Sequence, residues 1–229
     1  MTQNHEKDKG NGLTPEEVKQ FYDKFGKKQD YQFYENAAIR ELVHHSDFAN
    51  AFSVFEFGCG TGRLAAELFI NEFNDQCKYY GVDVSNTMVS LSRKRLDQWS
   101  GRVKIDLIGE NIELNVGDGT YDRFITTYVL DLLSEEDIRK VLFQAHRILK
   151  SDGLLCLASL TWGQSGFCKL VSRAWYRIFK LRPKWVGGCR PINAASFLDN
   201  KDWKILHHNV ISSLGISSEI IVAKPKKLL

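Results

Sequence analysis

The chain has no long apolar run. Its longest, around Leu154 to Leu160, falls far short of a bilayer span, and Met1 to Gly12 is polar and charged without the apolar core of a secretory leader. These absences point to a cytoplasmic location, with residues 1–13 disordered. Cysteine is scarce. The five thiols, Cys59, Cys77, Cys156, Cys168 and Cys189, are odd in number and widely spaced, which suggests neither a disulfide framework nor a zinc-ligand set. Reduced thiols and no bound metal are expected. Internal repeats and low-complexity tracts are missing as well.

Neither sign of charge dominates. The 31 Lys and Arg stand against 28 Asp and Glu, and a net +3 argues neither for nor against nucleic acid. One local absence is sharper: between Gly153 and Leu198 there is no acidic residue, while Lys169, Arg173, Arg177, Lys180, Arg182, Lys184 and Arg190 all fall there. What is present, 43% apolar residues in a chain of 229, suffices for one α/β domain with a sizeable core, expected over residues 14–229.

Strand-like and helix-like stretches alternate along the chain. Thr14-Pro15-Glu16-Glu17 supplies an N-cap, a proline at the first helical position and a capping-box glutamate, and Val18, Phe21, Tyr22 and Phe25 follow at helical spacing. A second amphipathic stretch over 31–44 presents Phe33, Ala37, Ala38 and Leu42. Further strands are expected at 79–83, 103–108, 123–127 and 154–160, with helices beginning near Leu64, after Ser85 and after Ser134, and a turn at Asp152-Gly153. Such alternation calls for a parallel sheet with helices on both faces. At the tail, 203–210 and 217–222 are joined by a link around Leu214-Gly215 that is too short for a crossover helix, so this pair is antiparallel.

The first strand carries the most informative stretch, Val54-Phe55-Glu56-Phe57-Gly58-Cys59-Gly60-Thr61-Gly62-Arg63-Leu64. It reads as a buried strand, a glycine loop that lets backbone approach a ligand, and the start of a helix. Dinucleotide sites use GxGxxG with a pyrophosphate at the helix N-terminus. Here the third glycine comes one residue early, and Glu56 is a poor neighbour for a diphosphate but suits a cationic ligand. Asp83 ends the next strand and is able to accept both hydroxyl protons of a ribose.

These two halves together resemble the S-adenosylmethionine (SAM) site of class I methyltransferases, closest to the ubiquinone/menaquinone-biosynthesis type, over about Tyr22 to Val222. The resemblance implies a Rossmann-like methyltransferase fold, a mostly parallel seven-stranded sheet with a C-terminal antiparallel hairpin and helices on both faces. It matches Gly58, Gly60 and Gly62, with Glu56 and Cys59 beside them, to the loop around the methionine part of SAM, and Asp83, followed by Val84, to the ribose. Met88 matches a position near the adenine, although a methionine on a helix face is equally plain core. Glu110 and Asn111 stand where the family reads the adenine edge, but depart from its usual aspartate and small residue. Thr127, Tyr128 and Asp131, at the end of the fourth strand, line the methyl-transfer pocket, with Asp131 as candidate base and Tyr128 and Tyr22 as orienting groups. Residues 14–50 form lid helices, and 161–200 build the acceptor site, where Trp162 and Arg190 are candidate contacts.

The function so implied is methyl transfer from SAM to a small-molecule acceptor of hydrophobic or lipidic character. The alternative is a SAM-binding regulatory protein of the same fold without turnover. DNA is disfavoured as a substrate: no Asn/Asp-Pro-Pro-aromatic tetrapeptide follows the fourth strand, and there is no Pro-Cys nucleophile. His44, His45, His146, His207 and His208 have no motif context and read as surface or packing residues. In the acid-free stretch, Phe167, Leu170, Val171, Ala174, Trp175, Ile178 and Phe179 recur at helical spacing, with Lys169, Arg173, Arg177 and Lys180 opposite. This helix is expected either to cover the acceptor pocket with its apolar face or to bring 166–185 to an anionic membrane, where Trp175 and Trp185 suit the interface.

Overall fold

The structure, a computed structural model, describes residues 16, 17, 23, 34–109 and 112–227. Strands β1 (Ser53–Phe57), β2 (Lys78–Asp83), β3 (Val103–Leu107), β4 (Tyr121–Thr127) and β5 (Leu149–Thr161) lie parallel in the order β3-β2-β1-β4-β5. The last two strands extend the sheet beyond β5. β7 (Ile216–Pro225) pairs antiparallel with β5 and with the edge strand β6 (Trp203–Ser213). Six strands therefore run one way and β7 against them, which is the Rossmann-like methyltransferase sheet. Leu214 (φ 50°) and Gly215 (φ 88°) make the turn between β6 and β7, both in the left-handed region that matches the twist of a tight hairpin. β6 is irregular at one point, where its register with β7 shifts between Ile205 and His207.

The helices α1 (Glu35–His45), α2 (Arg63–Asn71), α3 (Asn86–Arg95), α4 (Glu135–Ile148) and α5 (Gly166–Leu181) pack on this sheet. The two-residue alternation of the strands sends neighbours to opposite cores. Val54, Tyr79 and Ile125 meet Leu42 of α1, Leu68 of α2 and Val89 of α3 on one face. Phe55, Phe124 and Leu157 meet Ile138, Val141 and Leu142 of α4 on the other. Ser85 and Ser134 cap α3 and α4, their hydroxyls accepting from the backbone N–H of Met88 (3.2 Å) and Asp137 (3.1 Å). No helix among the described residues is long and apolar enough to cross a membrane.

Two local expectations are corrected. The turn anticipated at Asp152-Gly153 is part of β5: the ladder steps from Tyr121–Leu149 to Arg123–Leu154, so residues 150–153 are absorbed as an irregularity in a continuous strand. A Cβ on Gly153 would lie 2.9 Å from the carbonyl oxygen of Tyr121, which is why glycine stands there. On α5 the apolar residues do not share one inward face. Cys168, Ser172 and Phe179 point inward, while Phe167, Leu170, Ala174 and Ile178 are exposed. The cause is a close crossing. Gly163 donates its N–H to Ser172 Oγ (3.1 Å), and a Cβ there would lie 2.1 Å from the carbonyl carbon of Cys168. Only small side chains fit under that crossing, so the large apolar ones are rotated outward.

The far end of α1 is clamped by one side chain. Buried Arg123 on β4 donates from Nε to the carbonyl of Ser46 (2.6 Å), from Nη2 to that of Asp47 and from Nη1 to that of Asp122 (2.9 Å). Ser46 and Asp47 directly follow α1, at the end where a helix leaves carbonyls unpaired and attracts cations. Beside it, Asp122 accepts from the N–H groups of Phe52 and Ser53 and from Lys150 Nζ, fastening β4 to the entry of β1. Arg123→Met is expected to lower the melting temperature by about 6–12 °C, corresponding to about 3 kcal/mol of lost charge-assisted hydrogen bonding. Arg123→Lys should recover little, because an ammonium cannot fork across three carbonyls. Differential scanning calorimetry checks both, and a parent-like melting temperature for the methionine variant would dismiss the clamp.

Candidate active site

From Phe57 the chain turns through Gly58, Cys59, Gly60, Thr61 and Gly62 into α2. The three glycines have φ of 78°, 53° and 73°, all left-handed. Two of them are also required by the protein's own packing. A Cβ on Gly58 would lie 2.3 Å from Val129 Cγ2, and one on Gly62 would lie 2.6 Å from Ser92 Oγ on α3. The N–H groups of Gly58 and Cys59 both donate to the carbonyl of Val82 (2.9 and 3.0 Å), and the Cys59 thiol turns toward Ser92.

Asp83 holds the loop from the end of β2. Its Oδ2 accepts from Gly60 N–H and its Oδ1 from Ser85 N–H, each at 2.9 Å. The carboxylate, with about four acceptor sites, keeps capacity for a ligand beside these bonds. Burial pushes the Asp83 carboxyl up to about 6, against the lowering effect of the N–H groups of Ser85, Gly60 and Val84. Val84 is half-buried, and Met88 is core, enclosed at the start of α3.

The loop faces an open cleft lined by Glu35, Glu56, Arg63, Thr127, Tyr128 and loop residues 58–61. Glu56 is 2% exposed and accepts a 2.5 Å hydrogen bond from the Tyr79 hydroxyl. Burial drives its pKa to about 8, opposed by that hydrogen bond and reinforced by the Asp83 charge. Glu35 is likewise pushed to about 8 by burial, opposed by the Arg63 guanidinium 3.9 Å away.

Across the cleft, β4 ends at Thr127, and Tyr128 adopts φ 55°, an uncommon position for a bulky residue. Its hydroxyl meets Ser218 Oγ at 2.8 Å, and its ring lies edge-on to Tyr34 with centroids 5.9 Å apart. Asp131, in the short helix Leu130–Leu132, is 1% exposed, and its Oδ1 has no hydrogen-bond donor among the described residues. Burial raises this carboxyl to about 7, with the Arg190 charge and hydrogen bonds from Cys189 and Ser159 among the influences holding it down. Arg190 is buried beside it, donating its N–H to the Asp131 carbonyl at 3.0 Å.

Trp162 and Arg190 are not in direct contact. Trp162 meets Tyr176 (5.2 Å between centroids), Tyr176 stacks on Phe179 (6.2 Å), and the Arg190 guanidinium lies 5.9 Å over Phe179, so a row of rings connects the two. Tyr22, Glu110 and Asn111 lie outside the described residues, as do 1–13. Tyr34, Glu35 and Arg63 escape the sequence reading. An acid in the first turn of a helix, as Glu35 is in α1, ordinarily answers the helix dipole and so draws no notice. Arg63 did leave a cue, since a cation opening α2 has the unfavourable sign for that position.

Comparison with known proteins agrees with this geometry. The family model described as a methyltransferase domain matches residues 54–153, from β1 through the glycine loop, Asp83 and Asp131 into β5. A putative methyltransferase from Geobacillus sp. (strain WCH70) is 26% identical over 147 residues, covering 62% of this chain and 56% of its own. A carboxy-S-adenosyl-L-methionine synthase from Cronobacter sakazakii is 25% identical over 108 residues, covering 47% of this chain and 43% of its own. The chain thus spans about half the length of these curated relatives. A solved geranyl diphosphate methyltransferase in complex with SAM shares the fold with a TM-score of 0.61 at 14% identity, over 82% of this chain and 84% of that one. Domain match and sheet order agree: residues 54–153 form a methyltransferase domain, and the chain is similar to the class I SAM-dependent methyltransferases, whose cofactor is SAM.

Proposed function

We propose that this chain transfers the methyl group of SAM to a small hydrophobic or lipidic acceptor. The observation that carries the reading is the pair of buried carboxylates Glu35 and Glu56 lining a cleft that includes one guanidinium, Arg63, with a third buried carboxylate, Asp83, bonded to the loop at Gly60 N–H. Negative groups withdrawn from water in this excess call for a cationic ligand, and SAM has a sulfonium and an ammonium. In this reading Glu35 and Glu56 face the positive groups, Arg63 meets the carboxylate, and the backbone of Gly58 to Gly62 lies along the methionine part. Asp83 accepts from the ribose hydroxyls, and Val84, Met88, Glu110 and Asn111 are the candidate contacts for the rest of the adenosine. When bound, SAM supplies a methyl carbon already activated by its sulfonium.

What remains for the protein is alignment, exclusion of water and management of one proton. Thr127 and Tyr128 line the far side of the cleft, Tyr34 packs edge-on to Tyr128, and Tyr22 is a further candidate orienting group. Asp131, held near neutrality by burial, is matched to take a proton from the acceptor. The row Trp162, Tyr176, Phe179 ending at Arg190 fits an apolar or aromatic acceptor with an anionic end. Residues 14–50 are assigned the role of lid and 161–200 that of acceptor segment. A lipidic acceptor also places this chain at the inner periphery of an anionic membrane, with 166–185 as the contacting segment.

Three measurements test the reading. Asp83→Ala should weaken SAM binding in calorimetry more than about 100-fold, since two charge-assisted hydrogen bonds of about 1.5–3 kcal/mol each are lost. It should also loosen the loop, because the N–H groups of Gly60 and Ser85 lose their acceptor. Unchanged affinity would remove Asp83 from the site. The raised carboxyls give a second test. Glu35 and Glu56 hold protons in the folded, ligand-free state up to about 8. The stability this confers is present below the unfolded value of 4.5 and fades as pH rises through 8. A cation favours the ionised forms, so SAM binding at about pH 7 should tighten with rising pH and release protons, read by calorimetry in buffers of different ionisation enthalpy. Glu56→Gln should reduce that release, and no release from the parent would count against a cationic ligand. Finally, Asp131→Asn should lower methylation of a lipid extract with tritiated SAM by about 100-fold or more and abolish the rise in rate through pH 7. Full activity with an unchanged pH profile would remove the base.

A further inference from the structure

We propose that the outward half of α5 is a docking face for an anionic lipid bilayer. The inference rests on the membrane-peripheral part of the functional reading, though not on methyl transfer itself. With Cys168, Ser172 and Phe179 turned inward, the rest of the helix divides at about 100° per residue into two adjoining stripes. Phe167, Leu170, Ile178 and Leu181 form one, and Lys169, Arg173, Arg177 and Lys180 form the other. The apolar stripe is well clear of the protein: Phe167 is 66% exposed and Leu181 79%. Single exposed apolar side chains are ordinary, but an aligned row along one helix with a basic flank is not. The patch continues beyond both ends of the helix, to exposed Leu214 at the β6–β7 turn, which Phe167 abuts, and to exposed Trp185.

Charge identifies the occupant. No acid lies between Gly153 and Leu198, and among the described residues Lys169, Arg173 and Arg177 have no carboxylate partner, whereas Lys184 pairs with Glu17 at 3.3 Å. A second copy of this chain would bring the same cations against these. An anionic bilayer satisfies both stripes together, its phosphates meeting the cations and its acyl boundary the leucines, isoleucine and aromatics. The inner face of the helix connects this surface to the site. Trp175 Nε1 donates to the Cys189 carbonyl at 3.0 Å, and the next residue, Arg190, donates to the Asp131 carbonyl. A lipid leaving the bilayer at α5 would meet the Trp162–Tyr176 pair before reaching Asp131.

The test uses the whole chain with vesicles of phosphatidylcholine alone and of phosphatidylcholine mixed with phosphatidylglycerol. Bound protein is read by cosedimentation, and SAM affinity by calorimetry on the same preparations. Binding is expected only to the anionic vesicles and should fall with added salt. Arg173→Glu with Arg177→Glu should weaken it at least about 25-fold, each cation near an anionic surface accounting for about fivefold. Leu170→Ser with Leu181→Ser should also abolish it, and both double variants should keep the parent's melting temperature and SAM affinity. Equal or negligible binding of the parent to the two vesicle types, or parent-like binding by the charge-reversed variant, overturns the docking face, while SAM affinity independently judges the cofactor site. A mass that doubles with concentration and reverts in the serine variant would give the stripe to a second copy and overturn the proposal equally.

Discussion

Carboxylates withdrawn from water at one end of a sheet repel one another, and the site depends on how that repulsion is relieved. Glu56 and Asp83 are placed by β1 and β2, Glu35 by α1 and Asp131 by the short helix after β4. Each is buried, and each has its proton affinity raised by that burial. Asp83 is raised only to about 6, because backbone N–H groups solvate its charge in place of water. Glu56, whose side-chain partner is one phenol, is raised to about 8. At neutral pH the ligand-free cleft therefore holds protons on Glu35 and Glu56, and a cation entering it displaces them.

Much of this was legible because it is written locally. Val54 to Phe57 alternates between two cores, Ser85 and Ser134 sit where caps are needed, and Leu214-Gly215 leaves no room for anything but a hairpin. The glycine loop and Asp83 were readable for the same reason, since each stands at the carboxyl end of a recognisable strand. The orientation of α5 was not. It is decided by the passage of Gly163 over Cys168, a contact that no helical periodicity contains. The turn expected at Gly153 failed similarly, because a neighbouring strand that accepts an irregular ladder turns a breaker into a bulge. Glu35 was hidden by its own propriety, an acid where helices ordinarily carry acids.

The helix that brings Glu35 to the cleft is anchored at a distance from it. α1 brings Tyr34 and Glu35 in at its N-terminal end, while Arg123 secures the carbonyls that follow its C-terminal end. Beside Asp131, Trp175 and Ser172 fix α5 to Cys189 and Gly163, and Arg190 continues that attachment to the backbone of Asp131. Tethering α1 at its far end leaves its near end, which carries Glu35, free of the burden of holding the fold.

The two margins of the sheet are finished differently from its centre. β3 is only five residues long and carries Lys104 and Asp106, ion-paired at 2.8 Å, and β6 breaks its register between Ile205 and His207. Short, charged or bulged margins make poor templates for an incoming strand. Copies of this protein crowded together are thereby discouraged from threading edge to edge into filaments, and self-association would have to proceed through side-chain surfaces rather than through the backbone.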